Sequence, residues 1–226
     1  MLVEMPFDED WTELEFARRA ERKEAGAESR TSSKIFLSRP RVLAISPDRD
    51  LLGSDLYNFM KQERRNYELR MIALACSFLS EDDPLLRATL VVSLERDDGI
   101  TEDRPQAWNL QPRRLAKPST RLQKSFSLEA SFNPKARVDL SEQTSPEDDE
   151  HIVLGYGEGS STPEWVFKRT SKHNFDGIHY LGMSAMIPRS IPSSAHLALS
   201  AKYSHRRLGI ARSAFQIPAQ LRQVPL

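Results

Sequence analysis

From residue 35 onward, apolar side chains recur mostly at every second position, the spacing of half-buried β-strands. Ile35, Leu37 and the run Val42 to Ile45 predict two strands broken at Pro40. Tyr67 to Leu79 is apolar on both alternations, which marks a strand buried on two sides. Ala88, Leu90, Val92 and Leu94 alternate against Arg87, Thr89, Ser93 and Glu95, and Asp97-Asp98-Gly99 supplies a turn after them. Trp108 and Leu110, then Phe126 to Phe132, then Ala136 to Leu140, continue the pattern. Ile152 and Leu154 precede a glycine-rich turn, Trp165 and Phe167 make one strand, and Ile178 to Ile187 make a long two-sided one. Ala195, Leu197, Leu199, Ala201 and Tyr203 form the cleanest alternation in the chain.

Two stretches keep helical spacing instead. Trp11, Leu14, Ala17 and Ala20 share one helical face, with Asp10 placed to cap and Glu13 three residues on. The charged run to Glu24 leaves this helix only a narrow apolar stripe, which docks on the core by its start or takes a partner. Leu52, Leu56, Phe59 and Met60 predict a second, short helix ending in the Lys61 to Arg65 charge cluster. The expectation is therefore an all-β antiparallel sandwich of about 8–10 strands with an N-terminal helix and a short second helix. Its parts are an N-terminal helical arm over 1–29, a sandwich domain over 30–207, and an extended tail over 208–226. Pro218 and Pro225 keep that tail out of a central strand. Residues 111–121 and 141–151 lack apolar periodicity and read as exposed loops.

The 226 residues suffice for a sizeable core without metal or disulfide staples. Nine Gly, 14 Pro and one Cys exclude collagen-like and disulfide-scaffold classes. No apolar run approaches the ~18 residues of a spanning helix. The acidic N-terminus lacks the basic and apolar regions of a signal peptide. With a single cysteine and no Asn-x-Ser/Thr acceptor, a reducing cytoplasmic setting is expected.

The net charge of zero is unevenly distributed: residues 141–164 carry −7, and residues 165–226 carry +8. Neutrality overall argues against a dedicated nucleic-acid binder, while the last quarter can still present a local positive face.

The block Gly155-Tyr-Gly157, Trp165-Val-Phe167-Lys-Arg-Thr170, Gly177 to Leu181, Ile187-Pro188 and Leu197-Ala-Leu199 resembles the C-terminal part of β-sandwich domains of filamentous-fungal proteins. Pro105 to Pro112 extends the likeness. It implies a fold, and brings no catalytic residue with it.

Candidate chemistry is sparse. Gly155-Tyr-Gly-Glu-Gly159 leads into Pro163 and a strand, has no Gly-Lys-Ser/Thr after it, and contains Glu158, so it reads as turn glycines and not a phosphate cradle. The five histidines show no ligand spacing, although His173 and Asp176 could meet around a turn, and no metal or other cofactor is expected. His179 and His196 are read as pointing off the face opposite the core. Cys76 sits among apolar neighbours and reads as structural.

No catalytic residue is assigned, and no small-molecule substrate is identified. The leading expectation is a non-enzymatic interaction or assembly module that binds protein, including itself, with Trp11, Leu14 and Phe16 as docking residues. The alternative is association of the basic C-terminal strands with anionic lipid, with Lys168, Arg169, Arg206 and Arg207 as anion-binding residues. Nucleic acid is disfavoured, because the interleaved aromatics Trp165, Phe175, Tyr180 and Tyr203 mostly fall on the alternation that faces the core.

Overall fold

A computed structural model describes residues 2–4, 10–14, 33–46, 54–80, 84–117, 125–127, 150–207 and 211–226. Over 2–4, 125–127, 204–207 and 211–222 it describes the backbone pairing alone. Fourteen strands and one helix lie in these residues.

Two antiparallel sheets pack face to face around one principal core. The first contains β2 (Trp11–Glu13), β3 (Lys34–Ser38), β5 (Tyr67–Leu79), β12 (Gly177–Pro188) and β7 (Gln106–Gln111), in that order, with β4 (Arg41–Ile45) also paired to β5. The second runs β14 (Ala211–Pro225), β13 (Ser193–Arg207), β6 (Leu85–Arg96), β11 (Glu164–Lys168), β10 (Val153–Tyr156) and β8 (Arg114–Leu115). A separate ladder pairs β1 (Leu2–Glu4) with β9 (Ser125–Ser127). The all-β sandwich expected from the alternation is what the chain forms. The strands beyond the expected 8–10 are mainly two- and three-residue segments, too short to carry a period.

β5 is buried on both faces, as its unbroken apolar run predicts. Ile72, Leu74, Cys76 and Phe78 enter the core between the sheets, and Leu69, Met71 and Ala73 enter a second cluster on the outer side. That outer cluster is covered by α1 (Ser54–Glu63), the expected short helix, through Met60, Tyr57 and Phe59, with Trp108 beside them.

β3 and β4 pair successively with the two halves of β5, and the register shifts by one residue between them. Pro40 cannot donate to a ladder there. The buried Ser38 hydroxyl fills part of the gap by accepting the Ala75 N–H at 2.8 Å.

The first helical arm needs correction at its start. Trp11–Glu13 is an edge strand opposite Ser38, Leu37 and Phe36. The Leu14 N–H continues the ladder to the Ile35 carbonyl at 2.9 Å, and its side chain packs on the core. Hydrogen bonding to an open sheet edge outweighs the weak helical spacing of four residues. Ala17 and Ala20 lie outside the described residues.

The C-terminal tail is an edge strand, as its prolines suggested. β14 pairs with β13 along its length, and the register shifts where Pro218 falls between Ile217 and Gln220. An extra residue at a bulge is where a sheet edge accommodates proline.

Candidate functional site

The glycine-rich turn is structural. Gly157 has φ +87°, and a Cβ there would lie 2.9 Å from Pro163 Cα, so only glycine fits without a shift. The turn sits against the edge of β7: Gly159 N–H donates to the Ala107 carbonyl at 2.7 Å, and Ala107 N–H donates to the Ser160 carbonyl at 2.9 Å. Glu158 accepts the Leu110 N–H at 3.1 Å and pairs with Arg113 at 3.2 Å. The turn therefore stitches the two sheets together, and its carboxylate is spent on that junction.

The histidines separate into different environments. His196 lies off the core as expected, 3.7 Å from Glu95. His179 does not: it is 6% exposed, while its neighbour Ile178 is 48% exposed. Its ring packs on Phe78 and Phe167 at centroid distances of 5.8 and 5.3 Å, and Nε2–H donates to the Phe175 carbonyl at 2.7 Å. A strand apolar on both alternations carries no parity signal, which is why the sequence misplaced this residue. Burial pushes the imidazole below its ordinary range, with the Phe175 hydrogen bond and Asp176 opposing.

Asp176 does not meet His173. It accepts from Ser80 Oγ at 2.6 Å and from Asn174 Nδ2 at 2.7 Å. Cys76 is buried, and desolvation pushes its thiol up, away from nucleophilic use. Among the described residues no cluster of three metal-ligating side chains occurs, and no helix is long and apolar enough to cross a membrane.

The expected docking stripe is not free to take a partner. Trp11 and Leu14 belong to the sheet edge just described, and Phe16 lies outside the described residues.

The basic residues are brought together differently. In β11, β6 and β13, the odd or even positions that enter the core are Trp165 and Phe167, Ala88 and Leu90, and Ala201 and Tyr203. Lys168, Arg87 and Lys202 fall on the opposite alternation. The register puts Lys168 opposite Arg87 and Arg87 opposite Lys202, so three cations form one row across three adjacent strands. At ~4.8 Å per strand the row spans about 10 Å. Arg87 and Lys202 are exposed, and no carboxylate among the described residues pairs with either.

Further along each strand the same face carries Val166, Thr89 and Ser200, and the next acid on β11 is Glu164. That acid is four residues, roughly 13 Å, from Lys168.

The other expected anion-binding residues surround this row. Arg169 follows Lys168 in an exposed connection, its N–H donating to the Leu86 carbonyl at 3.1 Å. Beyond Tyr203, β13 extends past the start of β6 and among the described residues pairs with β14 alone, which puts Arg206 opposite Arg212 and Arg207 opposite Ala211. Arg87 was not among the expected site residues. Its alternation gave its face, but only strand order puts it between two lysines. Trp165, Phe175 and Tyr203 are buried, so the aromatics interleaved with these cations in sequence form no stacking platform beside them.

No family model matches the chain, and no curated protein does. Among solved structures it aligns with Clostridium perfringens delta-toxin at 11% identity and a TM-score of 0.32, over 96% of this chain and 86% of that one. A structure titled pore forming protein aligns at 8% identity and a TM-score of 0.35, over 95% and 88%. The Clostridium perfringens NetB toxin in its membrane-inserted form aligns at 6% identity and a TM-score of 0.23, over 88% and 85%. Overlaps this loose determine neither the fold nor the activity of this chain.

Proposed function

We propose that the chain is a non-enzymatic module that associates with anionic membrane surfaces through the basic face of the β14-to-β8 sheet. The Lys168–Arg87–Lys202 row is the observation that carries this reading. Like charges directly opposite on neighbouring strands repel, and an anionic surface converts that cost into attraction. Each such cation contributes about 1 kcal/mol near an anionic leaflet. The neighbouring Thr89 and Ser200 are uncharged and Val166 beside them is buried, so the adjacent row carries no carboxylate. Buried aromatics beside the row favour a lipid surface over nucleic acid, whose single strands need stacking partners.

Co-sedimentation with vesicles tests the reading. Bound protein should rise with phosphatidylserine content and fall as salt is raised. Binding that responds to neither would remove it.

A second reading, assembly with protein or with itself, is supported by β14. This strand ends its sheet, and among the described residues it pairs only with β13. An edge with open donors and acceptors can accept a further strand. Light-scattering mass after size exclusion should then show an oligomer that persists in high salt, and a monomer would count against it.

A further inference from the structure

We infer that the end of the sandwich carrying Leu79 and Ile178 inserts into a bilayer, with these two side chains entering the boundary between headgroups and acyl chains. This rests on the membrane reading above and names the part of the chain that goes below the lipid surface.

In the first sheet, Ile35, Leu37, Cys76, Phe78 and Leu181 enter the core. Lys34, Phe36, Ser77, Leu79, Ile178 and Tyr180 fall on the opposite alternation. On that outer face α1 covers Leu69, Met71 and Ala73. At the other end of the same face Leu79 is 47% exposed and Ile178 48%. The register puts Ile178 and Phe36 on either side of Ser77, and Lys34 opposite Leu79. Leu79 and Ile178 are therefore diagonal neighbours, about 7–8 Å apart. Tyr180 and Trp11 stand one row behind Ile178, opposite Ala75 and Ser38. Aliphatic side chains at the strand ends with aromatic ones behind follow the order of a bilayer interface, where aromatic rings sit at headgroup level. One row is two residues, about 7 Å, close to the roughly 6 Å thickness of a headgroup layer.

The charges at this end suit an anionic leaflet. Arg169 is exposed in the connection from β11 to β12, and Arg87 and Lys202 lie opposite each other on the second sheet, two residues from the start of β6. No carboxylate among the described residues pairs with any of the three. The described acids here are engaged: Glu13 with Lys34 at 3.5 Å, Glu150 with Lys172 at 3.5 Å, and Asp176 with Ser80 Oγ at 2.6 Å. Glu81, Asp82 and Asp83 lie outside the described residues. A bilayer that meets this end touches the aliphatic pair and the cations together.

A second copy of the chain is a poorer occupant. The face from Trp11 to Ile178 crosses β2, β3, β5 and β12 and is roughly 14 by 13 Å, or about 200 Å². A stable dimer needs about 800 Å² from each partner.

The experiment places an environment-sensitive fluorophore on Ile178→Cys, with Lys202→Cys as the comparison. Cys76, the chain's one cysteine, is buried, so the label goes to the new site. On vesicles of phosphatidylcholine and phosphatidylserine, the label at 178 should shift to the blue and be quenched by a nitroxide placed high on the acyl chain, and the label at 202 should respond less. Unlabelled Leu79→Ser/Ile178→Ser should bind the same vesicles about 25-fold more weakly, about fivefold for each side chain. It should also lose the binding that wild type keeps in high salt. Because both positions are half-exposed, an unchanged thermal midpoint should show that this variant folds, and the labelled protein carries the test if it does not. Vesicle binding with the label at 178 still in water would overturn the inference and leave the membrane reading standing. No vesicle binding by wild type would remove both. A wild-type dimer that Leu79→Ser/Ile178→Ser separates into monomers would assign the face to a second copy and overturn the inference as well.

Discussion

Arg87 stands directly opposite Lys202 across the β6–β13 ladder, on the face turned away from the core. The two cations repel, so stability and binding should respond to Arg87→Gln with opposite signs. Removing one member of a like-charged cross-strand pair should raise stability by a few tenths of a kcal/mol. The same change should weaken binding to anionic vesicles by about 1 kcal/mol, roughly fivefold. Denaturant unfolding and vesicle titration on one preparation check both. A variant that loses stability and binding together would show that Arg87 serves the fold.

Gly157 is the turn position at which the junction between the sheets depends on a missing side chain. Its positive φ and the 2.9 Å approach of Pro163 Cα make Gly157→Ala costly, about 1–3 kcal/mol. Gly99 also has a positive φ, at +74°, but a Cβ there would meet nothing within 4 Å. Gly99→Ala should therefore carry only the backbone cost, about 1 kcal/mol. Equal losses in thermal unfolding would mean that Pro163 moves aside freely.

His179 gives the fold a defined acid sensitivity. Its folded value lies below the ordinary 6.5 because burial among Phe78, Phe167 and Phe175 disfavours the imidazolium. Just below pH 6.5 the unfolded chain takes up a proton that the native state refuses, so stability falls as pH drops. The contribution is fully present above about 6.5, and is lost progressively toward the depressed folded value. His179→Gln keeps a donor for the Phe175 carbonyl and should flatten the stability profile below about pH 6.5. An unchanged slope would place the acid sensitivity elsewhere.

Ser38 holds the break between β3 and β4. Ser38→Ala leaves the Ala75 N–H without its acceptor in a buried position, and should cost about 1–3 kcal/mol. Hydrogen exchange at Ala75 should accelerate with the loss. A variant with wild-type exchange would show that another acceptor replaces the hydroxyl.

Much of this architecture was legible from periodicity. β5 declared its two buried faces by apolar residues on both alternations, β13 by its clean alternation, and β14 its edge position by Pro218. Trp11 was misread because three residues carry no period, and backbone pairing to β3 decided the conformation. His179 was misplaced because β12 is apolar on both sides, so alternation cannot say which parity faces in. The basic row was only half visible. Lys168 was read as anion-binding, but its neighbour Arg87 comes from a strand some 80 residues earlier in the chain. Alternation fixes a residue's face, and only strand order fixes its neighbours.

The central claim is that the Lys168–Arg87–Lys202 row binds an anionic surface. The most direct test is equilibrium binding of wild type and the Arg87→Gln/Lys202→Gln double variant to phosphatidylserine vesicles at two salt concentrations. Loss of two cations should cost about 2 kcal/mol, roughly 30-fold in affinity, with a shallower salt dependence and an unchanged or higher thermal midpoint. Equal affinity and equal salt dependence for the two proteins would contradict it.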